Sequence, residues 1–251
     1  MIDAIVLAGR ANEGKLRDYS QVSQEAMIPI AGRPMLGYIA EALAEARDIG
    51  RIVIVGPAGE LGPAVEGFQV TFTEPAGGIM ENVLAGAARL GEADQILVTT
   101  SDIPLITSGT VDGFITECRR NPADLYYPII ERKAMEARFP TTTRTYARLK
   151  DGTFTGANMV LVRLGALQQV AEVAGRFVDA RKSPLKMASL LGFGFILKLL
   201  LGSARLAELE EVAQRILGVT GRVVITQEVE MGIDVDKPSD LELVEQVLAR
   251  A

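Results

Sequence analysis

The sequence predicts an α/β fold of three layers, in which helices cover both faces of a mostly parallel β-sheet. Two observations support this prediction. Apolar runs of strand length alternate with amphipathic helical patterns, which is typical of β-α-β units that place successive strands in parallel. The 251 residues also suffice for one large domain with a substantial core.

The alternation is most regular in the first half of the chain. Strands are predicted at residues 2–7, 51–55, 68–72 and 95–99, and helices at residues 79–90, 107–120 and from residue 34 onwards. Leu36, Ile39 and Leu43 recur at helical spacing and define one apolar face of the helix that begins at Pro34. Sheets of this kind bind ligands beyond the carboxyl ends of their strands, so the segments that follow strand ends are candidate binding loops.

The second half of the chain is less regular. Strands are predicted at residues 124–130, 154–162, 222–226 and 232–235, with a polar loop at 131–148 and a closing helix at 238–249. Residues 164–217 are predicted to form a variable, mainly helical region. Because the sequence contains neither a linker nor an internal repeat, it predicts a single domain over residues 1–251.

The composition excludes several kinds of chemistry. The chain has no histidine, which removes Ser-His-Asp triads, Cys-His pairs, His-ligated zinc and imidazole acid–base catalysis. Its net charge of −6 predicts that it has no nucleic-acid partner. A single cysteine, Cys118, predicts no disulfide framework and favours a reducing, cytoplasmic location.

The longest apolar stretch, residues 187–201, is shorter than the roughly 20 residues needed to cross a bilayer. Met1 leads directly into a strand pattern with no basic region before it, so no signal peptide is expected. The stretch therefore predicts a core helix or a homodimer interface. Contact with a membrane surface is the alternative, because Arg181, Lys182 and Lys186 precede the stretch.

The first candidate binding loop follows the first predicted strand and has the sequence Ala8-Gly9-Arg10-Ala11-Asn12-Glu13-Gly14-Lys15. Small side chains let backbone N–H groups approach phosphate oxygens, so this loop suits an anion. It also fits the P-loop pattern G-x-x-x-x-G-K, although Leu16 stands where a magnesium-binding hydroxyl is needed. The G-x-G-x-x-G pattern of dinucleotide-binding folds does not occur in this loop.

Asp102 is a candidate metal ligand, since it follows an apolar strand and precedes Pro104 by two residues. A carboxylate can orient phosphates only through a hard cation such as Mg²⁺, so this position suits a metal ligand. An Asp in this context also commonly caps a turn or a helix start, which is the structural alternative.

Two further carboxylates, Asp234 and Asp236, lie near the carboxyl terminus in the segment 232–241. Alternate side chains of a strand point to opposite faces of a sheet. If this segment is a strand, only one of the two carboxylates can share a cation with Asp102.

Three segments of the chain resemble the MobA-like nucleotidyltransferases, which have a GT-A-like, Rossmann-like fold. The loop at 8–15 and the later Pro29-Ile30-Ala31-Gly32-Arg33-Pro34 are similar to the family's amino-terminal region. Asp102-Ile103-Pro104-Leu105 matches the family's Asp-x-Pro-Leu, and residues 234–241 are similar to its Asp-x-Asp-Thr-Pro-Glu-Asp-Leu ending. The resemblance covers most of the predicted sheet, at roughly residues 1–130 and 220–250.

The resemblance implies transfer of a nucleoside monophosphate from a nucleoside triphosphate to a phosphorylated small-molecule acceptor, with Mg²⁺ as cofactor and pyrophosphate as product. It implies Asp102 as a catalytic metal ligand. Alignment on Leu241 makes Asp234 the second ligand and Asp236 the fallback. The other implied residues are Lys15 for catalysis, Gly156 and Asn158 for the acceptor, and Leu7, Ala8, Gly9, Arg10, Gly14, Lys15, Gly77, Gly78 and Asn82 for the nucleotide.

Two residues depart from the family pattern. Glu25 stands where the family has its triphosphate-binding lysine, and Arg10 replaces the second glycine of the loop. A negative charge in place of a positive one about 4–6 Å from a phosphate costs a few kcal/mol, unless Lys15 or Arg17 supplies the cation. The alternative function is therefore a non-catalytic nucleotide- or sugar-binding module on the same scaffold.

Overall fold

The computed structural model describes residues 1–180 and 183–250, which form a nine-stranded sheet, a two-stranded ribbon and helices on both faces of the sheet. The strands in these residues are β1 Ile2–Leu7, β2 Pro29–Ile30, β3 Arg33–Pro34, β4 Ile49–Val55, β5 Val70–Thr73, β6 Gln95–Thr100, β7 Leu125–Glu131, β8 Ala147–Leu149, β9 Gly152–Gly156, β10 Met159–Arg163 and β11 Gly221–Thr226. The α-helices are α1 Met35–Ala44, α2 Ala58–Leu61, α3 Ile79–Leu90, α4 Ser108–Cys118, α5 Arg132–Arg138, α6 Leu164–Ala180, α7 Pro184–Leu191, α8 Phe193–Leu200, α9 Leu206–Leu217 and α10 Pro238–Leu248.

The large sheet has the strand order β5-β4-β1-β6-β10-β7-β9-β8, and β11 pairs with β7 outside this path. Strands β5, β4, β1 and β6 are parallel neighbours, and β11 is parallel to β7. Strands β10 and β9 are antiparallel to the strands beside them. The predicted three-layer α/β fold with a mostly parallel sheet is therefore confirmed.

Side chains of the central strand β1 alternate between two hydrophobic clusters, one on each face of the sheet. Ala4 and Val6 belong to the larger cluster, which includes the apolar faces of α1, α4 and α10. Ile5 belongs to the second cluster, which contains residues of α3 and α6. This alternation follows from the two-residue period of a strand and gives β1 a buried position in the middle layer.

Three predicted elements differ from the structure. The predicted strand at 154–162 is two strands, β9 and β10. Both are antiparallel to β7, but Ala157 and Asn158 interrupt the ladder and shift its register by two residues. The predicted loop at 131–148 contains the helix α5. The predicted strand at 232–235 does not form, since the backbone N–H of Val235 donates to the carbonyl oxygen of Asp102 at 2.9 Å instead of joining a ladder.

The region 164–217 contains the helices α6 to α9, as predicted. In α8 and directly after it, the apolar side chains of Phe193, Leu197, Leu200 and Leu201 are exposed. In the described parts of the chain, no helix combines the length and the hydrophobicity that crossing a bilayer requires. Arg181 and Lys182 lie outside the described residues, and contact with a membrane surface or a second copy stays a prediction.

We expect Gly86→Ala to lower the free energy of unfolding by about 1–3 kcal/mol, because α3 packs closely on the sheet at this residue. A Cβ atom at Gly86 would lie 2.8 Å from Cγ2 of Ile5 and 3.1 Å from Cγ2 of Val55. The matched control is Gly175→Ala in α6, where an added Cβ meets no heavy atom within 4 Å. This control should raise the free energy of unfolding by up to about 1 kcal/mol. Urea unfolding measures both values, and changes of equal sign would contradict the close packing of α3.

Candidate nucleotide and metal site

The loop at residues 8–15 follows β1 and lies at the carboxyl edge of the sheet. Gly9 packs against the loop between β5 and α3 so closely that a Cβ atom would lie 2.8 Å from Cγ of Pro75. Leu16 is buried and anchors the end of the loop, and residues 15–19 form a turn rather than a helix. The P-loop interpretation is therefore wrong, because a P-loop must lead directly into a helix.

Glu25 lies beside this loop and is paired with the other unusual residue, Arg10. Its backbone N–H donates to the carbonyl oxygen of Arg10 at 3.0 Å. Its carboxylate Oε2 lies 3.1 Å from Nε of Arg10, with 7% of the Glu25 side chain and 64% of the Arg10 side chain exposed. Burial raises the pKa of Glu25, and the Arg10 guanidinium opposes that rise. The two departures from the family pattern thus form one ion pair.

Asp102 follows β6 and is held from two sides. The hydroxyl of Thr100 donates to its Oδ1 at 2.5 Å, and its carbonyl oxygen accepts the bond from Val235. Burial raises the pKa of Asp102 to about 6, the Thr100 hydrogen bond opposes this, and the charges of Asp234 and Asp236 add to the rise. Asp102 is therefore ionised at neutral pH in an environment that disfavours its charge.

Asp102, Asp234 and Asp236 form one acidic cluster, in which one carboxylate oxygen of each residue lies within 4.8 Å of the others. The expectation that only one of the last two could reach Asp102 was wrong. It assumed that residues 232–235 form a strand, and the strict alternation of a strand does not hold in this irregular segment. Burial also raises the pKa of Asp234.

Two arginines neutralise part of this negative charge. Nη1 of Arg10 lies 3.2 Å from Oδ1 of Asp236, so Arg10 bridges Asp236 and Glu25. Arg144, in the loop between α5 and β8, forms an ion pair with Asp234. The sequence analysis missed Arg144, because a lone arginine in a polar loop carries no motif that could have marked it.

The residues of the acidic cluster fit a hard divalent cation. With the three aspartates and Glu25 ionised, four negative charges face the two guanidinium groups of Arg10 and Arg144, which leaves two negative charges. Carboxylate oxygens are the protein ligands that Mg²⁺ prefers. A divalent cation would thus satisfy both the charge and the ligand chemistry of the cluster.

Several predicted residues have structural partners of their own. Asn82 accepts a hydrogen bond from the backbone N–H of Ala76 at 2.7 Å, so its side chain orders the loop that contains Gly77 and Gly78. The guanidinium of Arg17 donates to the carbonyl oxygens of residues 21 and 22. Arg17 therefore shapes its own loop, whereas the side chain of Lys15 is exposed.

The two predicted acceptor residues lie at the break between β9 and β10. The carbonyl oxygen of Asn158 accepts two hydrogen bonds, each at 3.3 Å. One comes from the backbone N–H of Thr100 and the other from the hydroxyl of Thr99. This connects the break to the strand that presents Asp102. Gly156 packs against the ring of Tyr127, which leaves no room for a larger side chain.

The small-residue loop and the acidic cluster lie at the carboxyl edge of a mostly parallel sheet, which is where α/β proteins of this architecture bind their ligands. The MobA-like NTP transferase domain model matches residues 4–227. The chain therefore belongs to this family of nucleotidyltransferases.

The chain is similar to several known proteins. A hypothetical transferase from Thermus thermophilus is 40% identical, with a TM-score of 0.85 over 96% of this chain and 99% of that one. The bifunctional protein GlmU of Paramagnetospirillum magneticum is 30% identical over 161 residues, which are 63% of this chain and 32% of GlmU. The match thus spans about a third of that relative.

A more distant similarity extends to a CMP:2-keto-3-deoxy-manno-octonic acid synthetase complexed with CTP. It is 18% identical, with a TM-score of 0.64 over 100% of this chain and 99% of that one. At this identity the likeness supports the fold alone.

We expect Asp102→Asn to stabilise the metal-free protein at pH 8. A carboxyl group whose pKa is raised on folding is protonated first in the folded state, so the folded protein gains stability as the pH falls through about 6 towards 4. An amide is uncharged at every pH, and at about 1.4 kcal/mol per pKa unit the variant should gain about 2–3 kcal/mol at pH 8. Urea unfolding in EDTA at pH 8 and pH 4 measures this, and a gain that is equal at both pH values would contradict the raised pKa.

Proposed function

We propose that this nucleotidyltransferase moves a nucleoside monophosphate from a nucleoside triphosphate to a phosphorylated small-molecule acceptor, with Mg²⁺ as cofactor. The proposal covers the whole chain as one domain, with 164–217 as its variable region. The observation that carries it is the acidic cluster beside the small-residue loop, joined through Arg10. Together these groups can hold a triphosphate and a cation at one edge of the sheet.

In this mechanism a phosphate oxygen of the acceptor attacks the α-phosphorus of the nucleotide. A new P–O bond forms, the bond to the bridging oxygen of the β-phosphate breaks, and pyrophosphate leaves with that oxygen. The acceptor phosphate is already ionised at neutral pH, so no general base is needed, which agrees with the absence of histidine. Catalysis then rests on positioning and on neutralisation of charge.

Each group at the site has a role in this proposal. Asp102, Asp234 and Asp236 would hold Mg²⁺, which when bound neutralises charge on the transferring phosphate. Backbone N–H groups of the loop at 8–15 contact the triphosphate. Arg10 supplies the cation that the family's lysine provides, and Glu25 holds its guanidinium in place.

The first experiment is thermal unfolding with ATP, GTP, CTP or UTP, each with and without Mg²⁺. A ligand at 100 times its Kd adds about 2.7 kcal/mol to the free energy of unfolding, so a bound nucleotide shifts the melting curve measurably. A selective shift that depends on Mg²⁺ supports the proposal and identifies the nucleotide. If no triphosphate shifts the curve, the non-catalytic alternative replaces it.

We expect Asp102→Asn to reduce turnover by at least two orders of magnitude while the fold is retained, because removal of a preorganised charge-stabilising group typically costs about 10²–10³ in rate. Release of pyrophosphate measures turnover, and circular dichroism checks the fold. The same substitution at Asp112, which pairs with Arg47 away from the cluster, is the matched control. Full activity of Asp102→Asn would exclude this mechanism.

We expect the double variant Arg10→Ala/Glu25→Gln to bind the triphosphate about 10- to 100-fold more weakly than the single variant Glu25→Gln, so that the comparison isolates Arg10. It loses a charge-assisted hydrogen bond worth about 1.5–3 kcal/mol, and the second substitution avoids a buried, unpaired carboxylate. Calorimetric titration measures Kd. Arg119→Ala removes an arginine that pairs with Asp48 on the surface, and it should leave Kd unchanged. An unaltered Kd in the double variant would remove Arg10 from the phosphate site.

A further inference from the structure

An apolar cavity of about 320 Å³ opens beside the metal site, between the sheet and the helices α3 and α6. Its walls include Val83 of α3, Val98 of β6, Val160 of β10 and Val170 and Ala174 of α6. A cavity of this size is within the range of small-molecule sites. At about 30 Å³ for a water-sized group, it has room for about ten carbon atoms.

The few polar groups of the cavity lie at one end. They are Thr99 and Thr100 at the carboxyl end of β6, Asn158 at the break before β10, and Tyr127 of β7, whose hydroxyl lies next to Gly156. The Thr100 hydroxyl is bonded directly to Asp102, so this polar end adjoins the acidic cluster. The cavity therefore changes from polar to apolar with distance from the metal site.

The apolar walls favour a hydrocarbon group over a nucleobase as the part of a substrate that enters the cavity. A nucleobase carries several hydrogen-bonding groups on its edges, and burial of such a group without a partner costs about 1–3 kcal/mol or more. The valine and alanine walls provide no partners. A hydrocarbon body, in contrast, gains free energy there, provided that its polar end stays at the mouth.

We propose that the cavity binds the body of the acceptor, and that the acceptor is a phosphate monoester of an apolar alcohol, such as an alkyl, prenyl or aryl phosphate. This inference rests on the proposed function. The phosphate lies at the mouth beside Asp102, where its oxygen reaches the nucleotide, and the hydrocarbon extends between α3 and α6. The helix α6 thereby contributes to acceptor selection.

The test is calorimetric titration of the full chain with Mg²⁺ and n-alkyl monophosphates of two to twelve carbons, each below its micelle concentration. We expect Kd to fall about fourfold for each added methylene, which corresponds to about 0.8 kcal/mol, and to level off once the cavity is full. A Kd that does not depend on chain length, or that falls without a limit, overturns the proposal.

Two leucine variants of α6 locate the binding. Ala174→Leu adds three carbons to the cavity wall, so the chain length at which Kd levels off should become about three carbons shorter. Gln168→Leu adds the same side chain at an exposed position of α6 and should leave the limit unchanged. If Kd levels off at the same chain length in both variants and in the wild-type protein, the esters bind elsewhere and the proposal is overturned.

The same proteins are melted with nucleoside triphosphates and Mg²⁺, so that the two proposals are tested separately. A nucleotide shift with no dependence on chain length overturns the apolar acceptor and leaves the transferase proposal standing. A chain-length dependence without any nucleotide shift overturns the transferase proposal and supports the cavity as an apolar phosphate site. The titration is repeated with the same esters embedded in phosphatidylcholine vesicles. Binding to the embedded esters indicates a lipid as the acceptor, whereas binding only to the free esters indicates a soluble phosphate ester.

Discussion

The parallel pairing of β1 with β6 is the constraint on which the candidate site depends. Leu7 and Thr100 are partners in this ladder, so the two strands end side by side. The small-residue loop and Asp102 follow those ends and therefore meet at one edge of the sheet. The backbone bond from Val235 to Asp102 then brings the carboxyl-terminal carboxylates to the same place, across more than a hundred residues of intervening chain.

Charge balance explains the unusual residues around this edge. Carboxylates that are partly removed from water disfavour one another, and each needs a cation or a proton. Arg10 and Arg144 provide cations for Glu25, Asp236 and Asp234. Burial raises the pKa of Asp102 to about 6, and the Thr100 hydroxyl offsets this rise in part. The ion pair between Arg10 and Glu25 keeps a cation beside the loop, although the family's lysine is absent.

The sheet and the helical region 164–217 contribute different parts of the proposed site. The loop after β1 and Asp102 after β6 are the groups proposed to bind phosphate and metal, whereas α6 from the region 164–217 forms one wall of the apolar cavity. Reaction chemistry and acceptor selection would then lie on different elements. A family with one scaffold can change its acceptor through such a region without disturbing the charged groups at the sheet edge.

The sequence by itself determined the class of fold, the family and the segments that carry the binding loop and Asp102, because these depend on local periodicity and on residues adjacent in the chain. It did not reveal that Asp236 joins the cluster, that Arg144 pairs with Asp234, or that Arg10 pairs with Glu25. Those contacts link residues 15 to more than 200 positions apart. Only the tertiary structure decided them, since the direction of a side chain in an irregular segment depends on the packing around it and not on the period of a strand or helix.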